Sequence, residues 1–170
     1  GRLPQAENIY QQILKKNPKN PIALHLLGVI AHQVSKNEVA VDLITKALTI
    51  NPELAEAHSN LGTVLQDLGK LEDAITSYHK ALTLQPDLAD AHYNLGNVFQ
   101  ELGQMDEAVA SYNKALAIKP DYAEAYSNMG NALQDKGDLE AAIDSYKQAL
   151  KINPNHAEAY YNMGIALEDK

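Results

Sequence analysis

Apolar residues along this chain recur at intervals of three and four, the spacing expected for one face of an α-helix. Two such stretches, roughly residues 54–68 and 71–84, are separated only by a short turn that contains Gly69. Glycine suits the left-handed residue that often follows a helix C-terminus, and Gly103 and Gly137 occupy the corresponding turns further along. The pattern therefore predicts helix–turn–helix units and an all-α fold.

The helix–turn–helix pattern repeats every 34 residues along the whole chain. Four series of residues keep this period: Pro18, Pro52, Pro86, Pro120 and Pro154; Gly28, Gly62, Gly96, Gly130 and Gly164; Ala40, Ala74, Ala108 and Ala142; Ala47, Ala81, Ala115 and Ala149. We therefore predict repeats at 21–54 (divergent), 55–88, 89–122 and 123–156. Residues 1–20 are predicted to be the second helix of a preceding repeat, and residues 157–170 the first helix of a truncated fifth.

Each unit resembles the tetratricopeptide repeat, which combines a large residue, a Leu-Gly pair, two alanines flanking an aromatic and a closing proline. In the third unit these residues are His92, Leu95, Gly96, Phe99, Ala108, Tyr112, Ala115 and Pro120. The family's first-position tryptophan is absent, and its place is taken by Leu24, His58, His92, Tyr126 and Tyr160. The resemblance implies a right-handed superhelical solenoid of antiparallel helix pairs, each packed only against its neighbours. We expect Tyr78, Tyr112 and Tyr146 to fill the space between helices, and His58 and His92 to face the core.

A polar stripe runs along the first helix of each unit, opposite the apolar arc on a helical wheel. The resemblance implies that stacked first helices line a concave groove. The stripe carries acidic residues and no lysine or arginine; they are Glu56, Asp67, Asp90, Glu101, Glu124, Asp135 and Glu158. It also carries the residues that we expect to contact a peptide: Asn60, Asn94, Asn97, Asn128, Asn131, Asn162, Ser59, Tyr93, Ser127 and Tyr161.

Four of these asparagines, Asn60, Asn94, Asn128 and Asn162, form a column at the repeat period. A primary amide both donates and accepts hydrogen bonds, so it can pair with the backbone of an extended chain. The column resembles the asparagine ladder in the tetratricopeptide superhelix of O-linked N-acetylglucosamine transferases, which implies that it holds a partner's backbone. The alternative is that these asparagines form a plain solvated face.

Charge narrows the class of partner. Fourteen basic residues against 22 acidic ones give a net charge of −8, which argues against nucleic acid or an anionic membrane surface. The acidic stripe also argues against a clamp for a terminal carboxylate and favours a neutral or basic extended segment. No apolar stretch reaches the ~20 residues of a membrane helix, and no signal peptide is visible. The compartment stays open, with the cytoplasm slightly favoured.

The first full unit departs from this pattern. His25, Leu26, Val29 and His32 replace the polar stripe, and Ser35 stands where later units have a turn glycine. Two interpretations are open: this unit contacts an apolar partner, or another N-terminal segment covers it.

Motifs for catalysis, cofactors or metals are missing. There is no cysteine, no phosphate-binding loop and no nucleophile elbow. His25 and His32 lie seven residues apart on one helix, about 10.5 Å, which is too far for joint metal ligation. The expectation is a non-enzymatic scaffold without a cofactor or a metal.

Two alternative functions remain open. Residues 24–33 resemble N-terminal repeats of bacterial multidomain proteins, so the array could be the recognition arm of a larger enzyme such as a glycosyltransferase. Alternatively, apolar residues on the two terminal helices could stack head-to-tail into a continuous superhelix. The residues concerned are Tyr10, Leu14, Tyr160, Met163 and Leu167.

Overall fold

A computed structural model describes residues 2–170, with side chains from Leu3 onward, and forms ten α-helices and no strand over that range. The helices are α1 (Arg2–Lys16), α2 (Pro21–Gln33), α3 (Asn37–Ile50), α4 (Ala55–Asp67), α5 (Leu71–Leu84), α6 (Ala89–Glu101), α7 (Met105–Ile118), α8 (Ala123–Asp135), α9 (Leu139–Ile152) and α10 (Ala157–Glu168). They divide into two compact units, which we call unit 1 (to Pro86) and unit 2 (Asp87–Lys170).

Unit 1 contains α1 to α5, in which α2 packs on α3 and α4 packs on α5 as helix–turn–helix pairs. Its core consists of small and branched residues that include Ala40, Ile44 and Val64. The turn between α4 and α5 uses Gly69 at φ +70°, as predicted, and the turn between α2 and α3 uses Ser35 at φ +59°. A non-glycine residue pays a steric cost in this left-handed region, so the α2–α3 turn is strained relative to the others.

Unit 2 contains α6 to α10 and repeats the same architecture, with α6 packed on α7, α8 on α9, and α9 on α10. Tyr112 and Tyr146 are fully buried in its core, and Tyr78 is fully buried in unit 1. The prediction that these three tyrosines are core residues is confirmed.

Glycines inside the first helices make room for the large core side chains of the second helices. A Cβ atom added at Gly96 would lie 2.6 Å from the ring of Tyr112, and one at Gly130 would lie 2.5 Å from the ring of Tyr146. Both distances are far below ordinary van der Waals contact, so these positions exclude any other residue unless the ring moves. This close approach outweighs the low helix propensity of glycine, which costs about 1 kcal/mol relative to alanine.

The histidines at the first-position site differ in burial, which corrects part of the expectation for that site. His92 is buried, as predicted. His58 is only partly buried, and its Nε2 lies 2.9 Å from the backbone oxygen of Pro52. The imidazole therefore reaches back to the loop before α4 instead of entering the core. No helix within residues 2–170 has both the length and the apolar character needed to cross a membrane.

Candidate functional site

Five half-buried asparagines lie on the first helices of unit 2, and we call this surface the amide face. Its members are Asn94 and Asn97 on α6, Asn128 and Asn131 on α8, and Asn162 on α10. Helix α8 contacts both α6 and α10, so the three helices are neighbours and their amides follow one another in space.

The first rung of the amide face joins Tyr112, Asn97 and Asn128. The Tyr112 hydroxyl donates to Asn97 Oδ1 at 2.8 Å and also lies 2.9 Å from Gln100 Oε1. Asn128 Nδ2 donates to the same Asn97 Oδ1 at 3.0 Å and to the Tyr93 hydroxyl at 3.1 Å. A buried hydroxyl below the surface is thus connected to a surface amide through one intermediate asparagine.

The second rung repeats this arrangement one repeat later with Tyr146, Asn131 and Asn162. Tyr146 donates to Asn131 Oδ1 at 2.8 Å, and Asn162 Nδ2 donates to that same oxygen at 2.8 Å. Asn131 Nδ2 in turn lies 3.5 Å from a carboxylate oxygen of Glu158. The recurrence shows that the rungs are a property of the repeat.

Four tyrosines in and beside the rungs keep their hydroxyl protons over the physiological range. Burial, as the largest cause, raises the pKa of Tyr93, Tyr112, Tyr122 and Tyr146 above the usual value for phenols. Nearby carboxylates add to the rise, including that of Glu158 for Tyr146. A phenol that keeps its proton remains a hydrogen-bond donor, as both rungs require.

An aromatic group flanks the first rung. The ring of Tyr93 lies 4.8 Å from the ring of Tyr122 and 6.0 Å from the ring of Tyr112, measured between centroids. Lys119 Nζ sits 4.0 Å above the Tyr122 ring, a cation–π contact that already places a positive charge beside this aromatic group.

The acidic residues predicted for the groove lie on the exposed parts of the same helices. In unit 2 they are Asp90, Glu101, Glu124, Asp135 and Glu158. Helices α6, α8 and α10 contain no lysine or arginine. The surface around the amide face is therefore acidic and attracts basic groups at low and moderate salt.

Ser127 is a correction to the predicted set of contact residues. It is fully buried, and its Oγ has no hydrogen-bond partner among the described residues. On the helical wheel Ser127 lies at the edge of the stripe, where a small rotation of α8 determines whether its side chain is exposed or buried. It cannot contact a ligand at this surface, whereas Tyr161, at the same place in the next repeat, is 71% exposed.

In unit 1 a different pair of residues holds the column asparagine. Asn60 Nδ2 lies 2.8 Å from His25 Nε2, and an amide nitrogen can only donate, so His25 accepts through a neutral ring. Burial lowers the pKa of His25, which favours that neutral form. His25 is therefore buried against its neighbour and does not belong to an exposed apolar stripe.

The rest of the unit 1 stripe is mixed in character. Asp67 Oδ2 lies 2.7 Å from His32 Nε2, and Glu56 and Ser59 lie on the same helix as Asn60. Ile22 is 58% exposed and lines, with Leu26 and Glu56, a cavity of about 490 Å³. Within residues 2–170, no three histidine, aspartate or glutamate side chains come together in a way that could hold a metal ion.

Sequence comparison identifies the repeats. A family model described as TPR repeat matches residues 64–103, 96–137 and 130–170. Models described as tetratricopeptide repeat match residues 43–76 and 1–55. The chain belongs to the tetratricopeptide repeat family. A search of curated proteins finds no match to this tetratricopeptide array.

Solved structures agree with that assignment. A crystal structure of MamA aligns with a TM-score of 0.81 at 30% identity and covers 89% of this chain and 89% of its own. A second MamA structure aligns with a TM-score of 0.80 at 30% identity, over 93% of this chain and 86% of its own. YrrB, a TPR protein with an unusual peptide-binding site, has the same fold, with a TM-score of 0.81 at 24% identity over 94% of this chain and 82% of its own. The predicted all-α tetratricopeptide solenoid is confirmed, and the family supports a role as a protein-interaction scaffold.

Proposed function

We propose that this array binds an extended, neutral-to-basic peptide segment of a partner protein through its column of asparagines. The observation that carries the proposal is the pair of rungs in unit 2. Each rung holds an amide, that of Asn128 or Asn162, at the surface in a fixed orientation. Fixing a polar group before binding lowers the entropy cost of using it, which is how binding sites differ from ordinary solvated surfaces.

Helix and peptide spacing are compatible with this function. Packed helices lie about 8–10 Å apart, and an extended chain rises about 3.3 Å per residue. Successive asparagines of the column therefore meet about every third residue of an extended peptide. Backbone recognition of this kind does not read side chains, so it suits a partner defined by shape and charge. The peptide-binding site of YrrB, which shares the fold, is consistent with the proposal.

The acidic surface supplies the charge preference. Asp90, Glu124 and Glu158 are exposed on the three helices that carry the amide face. They attract lysine or arginine on the peptide and repel an acidic segment or a terminal carboxylate. Tyr93, beside Asn128, adds an aromatic surface for the peptide's side chains.

The experiment selects 12-residue peptides from a random display library on the wild-type array and measures their affinity by calorimetry. The double variant Asn94→Ala with Asn128→Ala is expected to weaken binding at least about tenfold, since two backbone contacts are lost. Asn113→Ala is the matched control, because it removes an exposed amide from α7, away from the amide face. Helicity by circular dichroism should be the same for all three proteins. An affinity unaltered by the double variant contradicts the proposal.

Self-association through the terminal helices is a second proposal, supported by exposed side chains on α10. Tyr160 is 53% exposed and Leu167 is 55% exposed, an unusual exposure for residues on the apolar arc of a helix. Light scattering over a range of concentrations tests it, and a strict monomer at the highest concentration contradicts it. A role as the recognition arm of a larger enzyme remains a prediction, which the full-length reading frame tests.

A further inference from the structure

Both side-chain N–H hydrogens of Asn128 are used in hydrogen bonds within the protein. Its Nδ2 carries two hydrogens, one directed to the Tyr93 hydroxyl and the other to Asn97 Oδ1. Its Oδ1 accepts no hydrogen bond from the described residues and is not enclosed by other atoms. This oxygen is therefore the part of the side chain that remains open to solvent.

Neither amide of the first rung can turn over alone. Asn97 Oδ1 accepts from both the Tyr112 hydroxyl and Asn128. If Asn97 turned over, its Nδ2 would face the Nδ2 of Asn128, donor against donor. If Asn128 turned over, its Oδ1 would face Asn97 Oδ1, acceptor against acceptor. If both amides turned over together, the Tyr112 hydroxyl would have to accept from Asn97 and give its one proton to Gln100 Oε1, which lies 2.9 Å away. The structure has the other arrangement, in which that proton goes to Asn97 Oδ1, so the Tyr112 hydroxyl selects the orientation of both amides.

Two other places in the array show the same orientation. In the second rung, Tyr146 and Asn162 both donate to Asn131 Oδ1, so the Nδ2 of Asn162 points inward. In unit 1, Asn60 also directs its Nδ2 inward, although the acceptor there is His25 Nε2. In Asn60, Asn128 and Asn162 alike, the side-chain nitrogen points inward. The acceptor is an asparagine oxygen for Asn128 and Asn162 and a histidine nitrogen for Asn60.

We propose that Tyr112 and Tyr146 are positioning residues that make Asn128 and Asn162 present a hydrogen-bond acceptor outward, so that the array selects segments with free backbone N–H groups. The selectivity rests on the peptide-binding function proposed above. A peptide N–H donates to the outward Oδ1 at each contact. A proline or an N-methylated residue has no such hydrogen and is rejected there. Asn97 and Asn131 were predicted as contact residues. In this proposal they instead connect the tyrosine to the column asparagine, because their Oδ1 already accepts from both.

The orientation of the amides is tested in the free protein. The double variant Tyr112→Phe with Tyr146→Phe removes two hydroxyls and keeps both rings. Tyr126→Phe is the matched control, because that tyrosine is on α8 of the same unit and outside both rungs. Side-chain amide signals of Asn128 and Asn162 are followed by nitrogen-15 NMR. We expect these signals to shift and to exchange faster with water in the double variant and to stay unchanged in the control. Unchanged signals in the double variant overturn the proposal.

Substitution of the intermediate asparagine provides a second test. Asn97→Asp keeps an oxygen that accepts from Tyr112 and Asn128, whereas Asn97→Leu keeps none. The Asn128 amide signals should stay slow to exchange in the aspartate variant and become fast in the leucine variant. Equal behaviour of the two variants counts against a positioning role, since a purely steric effect does not depend on the acceptor.

Selectivity is tested with the display-selected peptide, resynthesised with a single N-methyl group at each position in turn. Wild-type affinity should fall about tenfold at positions spaced by roughly three residues. In the double tyrosine variant the unmodified peptide should bind about fivefold more weakly, and the N-methyl penalty should shrink. A penalty that is the same in both proteins overturns the selectivity. If no peptide is selected but the amide signals respond as expected, the peptide-binding function and the selectivity fail, while the orientation of the amides stands.

Discussion

Replacing Gly96 by alanine tests how closely the paired helices of a repeat approach one another. The added Cβ lies 2.6 Å from the ring of Tyr112, whereas ordinary van der Waals contact begins at 3.4 Å. The ring is fully buried, so it has no open space into which it can move. Overpacking of this kind costs about 1–3 kcal/mol, while alanine regains about 1 kcal/mol of helix propensity. Because the overlap is large and the ring is enclosed, we expect a net loss of about 1–2 kcal/mol.

Gly164 provides a matched control on the same chain. It occupies the same place in α10, and a Cβ added there meets no described atom within 4 Å. Gly164→Ala should therefore show only the gain in helix propensity, a stabilisation of up to about 1 kcal/mol. The two substitutions are chemically identical and should change stability in opposite directions.

Urea denaturation followed by far-UV circular dichroism measures both variants. Repeat arrays unfold through partly folded states, so the data are best fitted with a nearest-neighbour description, and hydrogen exchange in α6 and α7 localises the effect. Gly130→Ala, whose Cβ would lie 2.5 Å from Tyr146, should reproduce the loss. If Gly96→Ala stabilises the array as much as Gly164→Ala does, the close packing of glycine against tyrosine is refuted.

Three further substitutions or conditions have expected outcomes. Ser127→Ala should stabilise the array by about 1 kcal/mol, because a buried hydroxyl without a partner is removed, whereas Ser145→Ala, whose Oγ donates to a backbone oxygen, should not. The urea midpoint should fall as the pH rises above about 10, because burial raises the folded-state pKa of Tyr112 and Tyr146 and the unfolded chain loses these protons first. Replacing both tyrosines by phenylalanine should make this fall less steep. Ser35→Gly should raise the melting temperature, since glycine adopts φ +59° without strain, at a gain of about 1 kcal/mol.

Each of these three expectations has a contrary result. A destabilised Ser127→Ala protein shows that the hydroxyl has a partner in solution. A urea midpoint that stays constant across the alkaline range shows that the buried phenols titrate alike in the folded and unfolded chain. An unchanged melting temperature for Ser35→Gly shows that the α2–α3 turn stores no strain.

Much of the fold could be predicted from the sequence because it depends on periodicity. A 34-residue repeat of glycine, alanine and proline specifies helix pairs, and Gly69 marks a left-handed turn that the structure confirms. Tyr112 was predictable as a core residue because it stands at the aromatic position of the repeat, between Ala108 and Ala115. Such features need only the spacing of residues along one or two neighbouring helices.

The site was less predictable because its geometry depends on hydrogen bonds between helices. Tyr112 and Asn97 are 15 residues apart, and Asn97 and Asn128 are 31 apart. A helical wheel treats one helix at a time, so it placed Asn97 on the polar stripe without showing which of its atoms is used internally. The recurring 15-residue tyrosine–asparagine interval was a usable signal. The burial of Ser127 had no comparable signal.

The central claim is that a partner's backbone lies along the amide face, and the most direct measurement is a nitrogen-15 NMR titration with the display-selected peptide. We predict that the side-chain amide signals of Asn94, Asn128 and Asn162 shift in parallel and saturate at one affinity. The signal of Asn113, on α7, should stay in place. Shifts confined to α7 and α9, with the three column amides unmoved, would contradict the account.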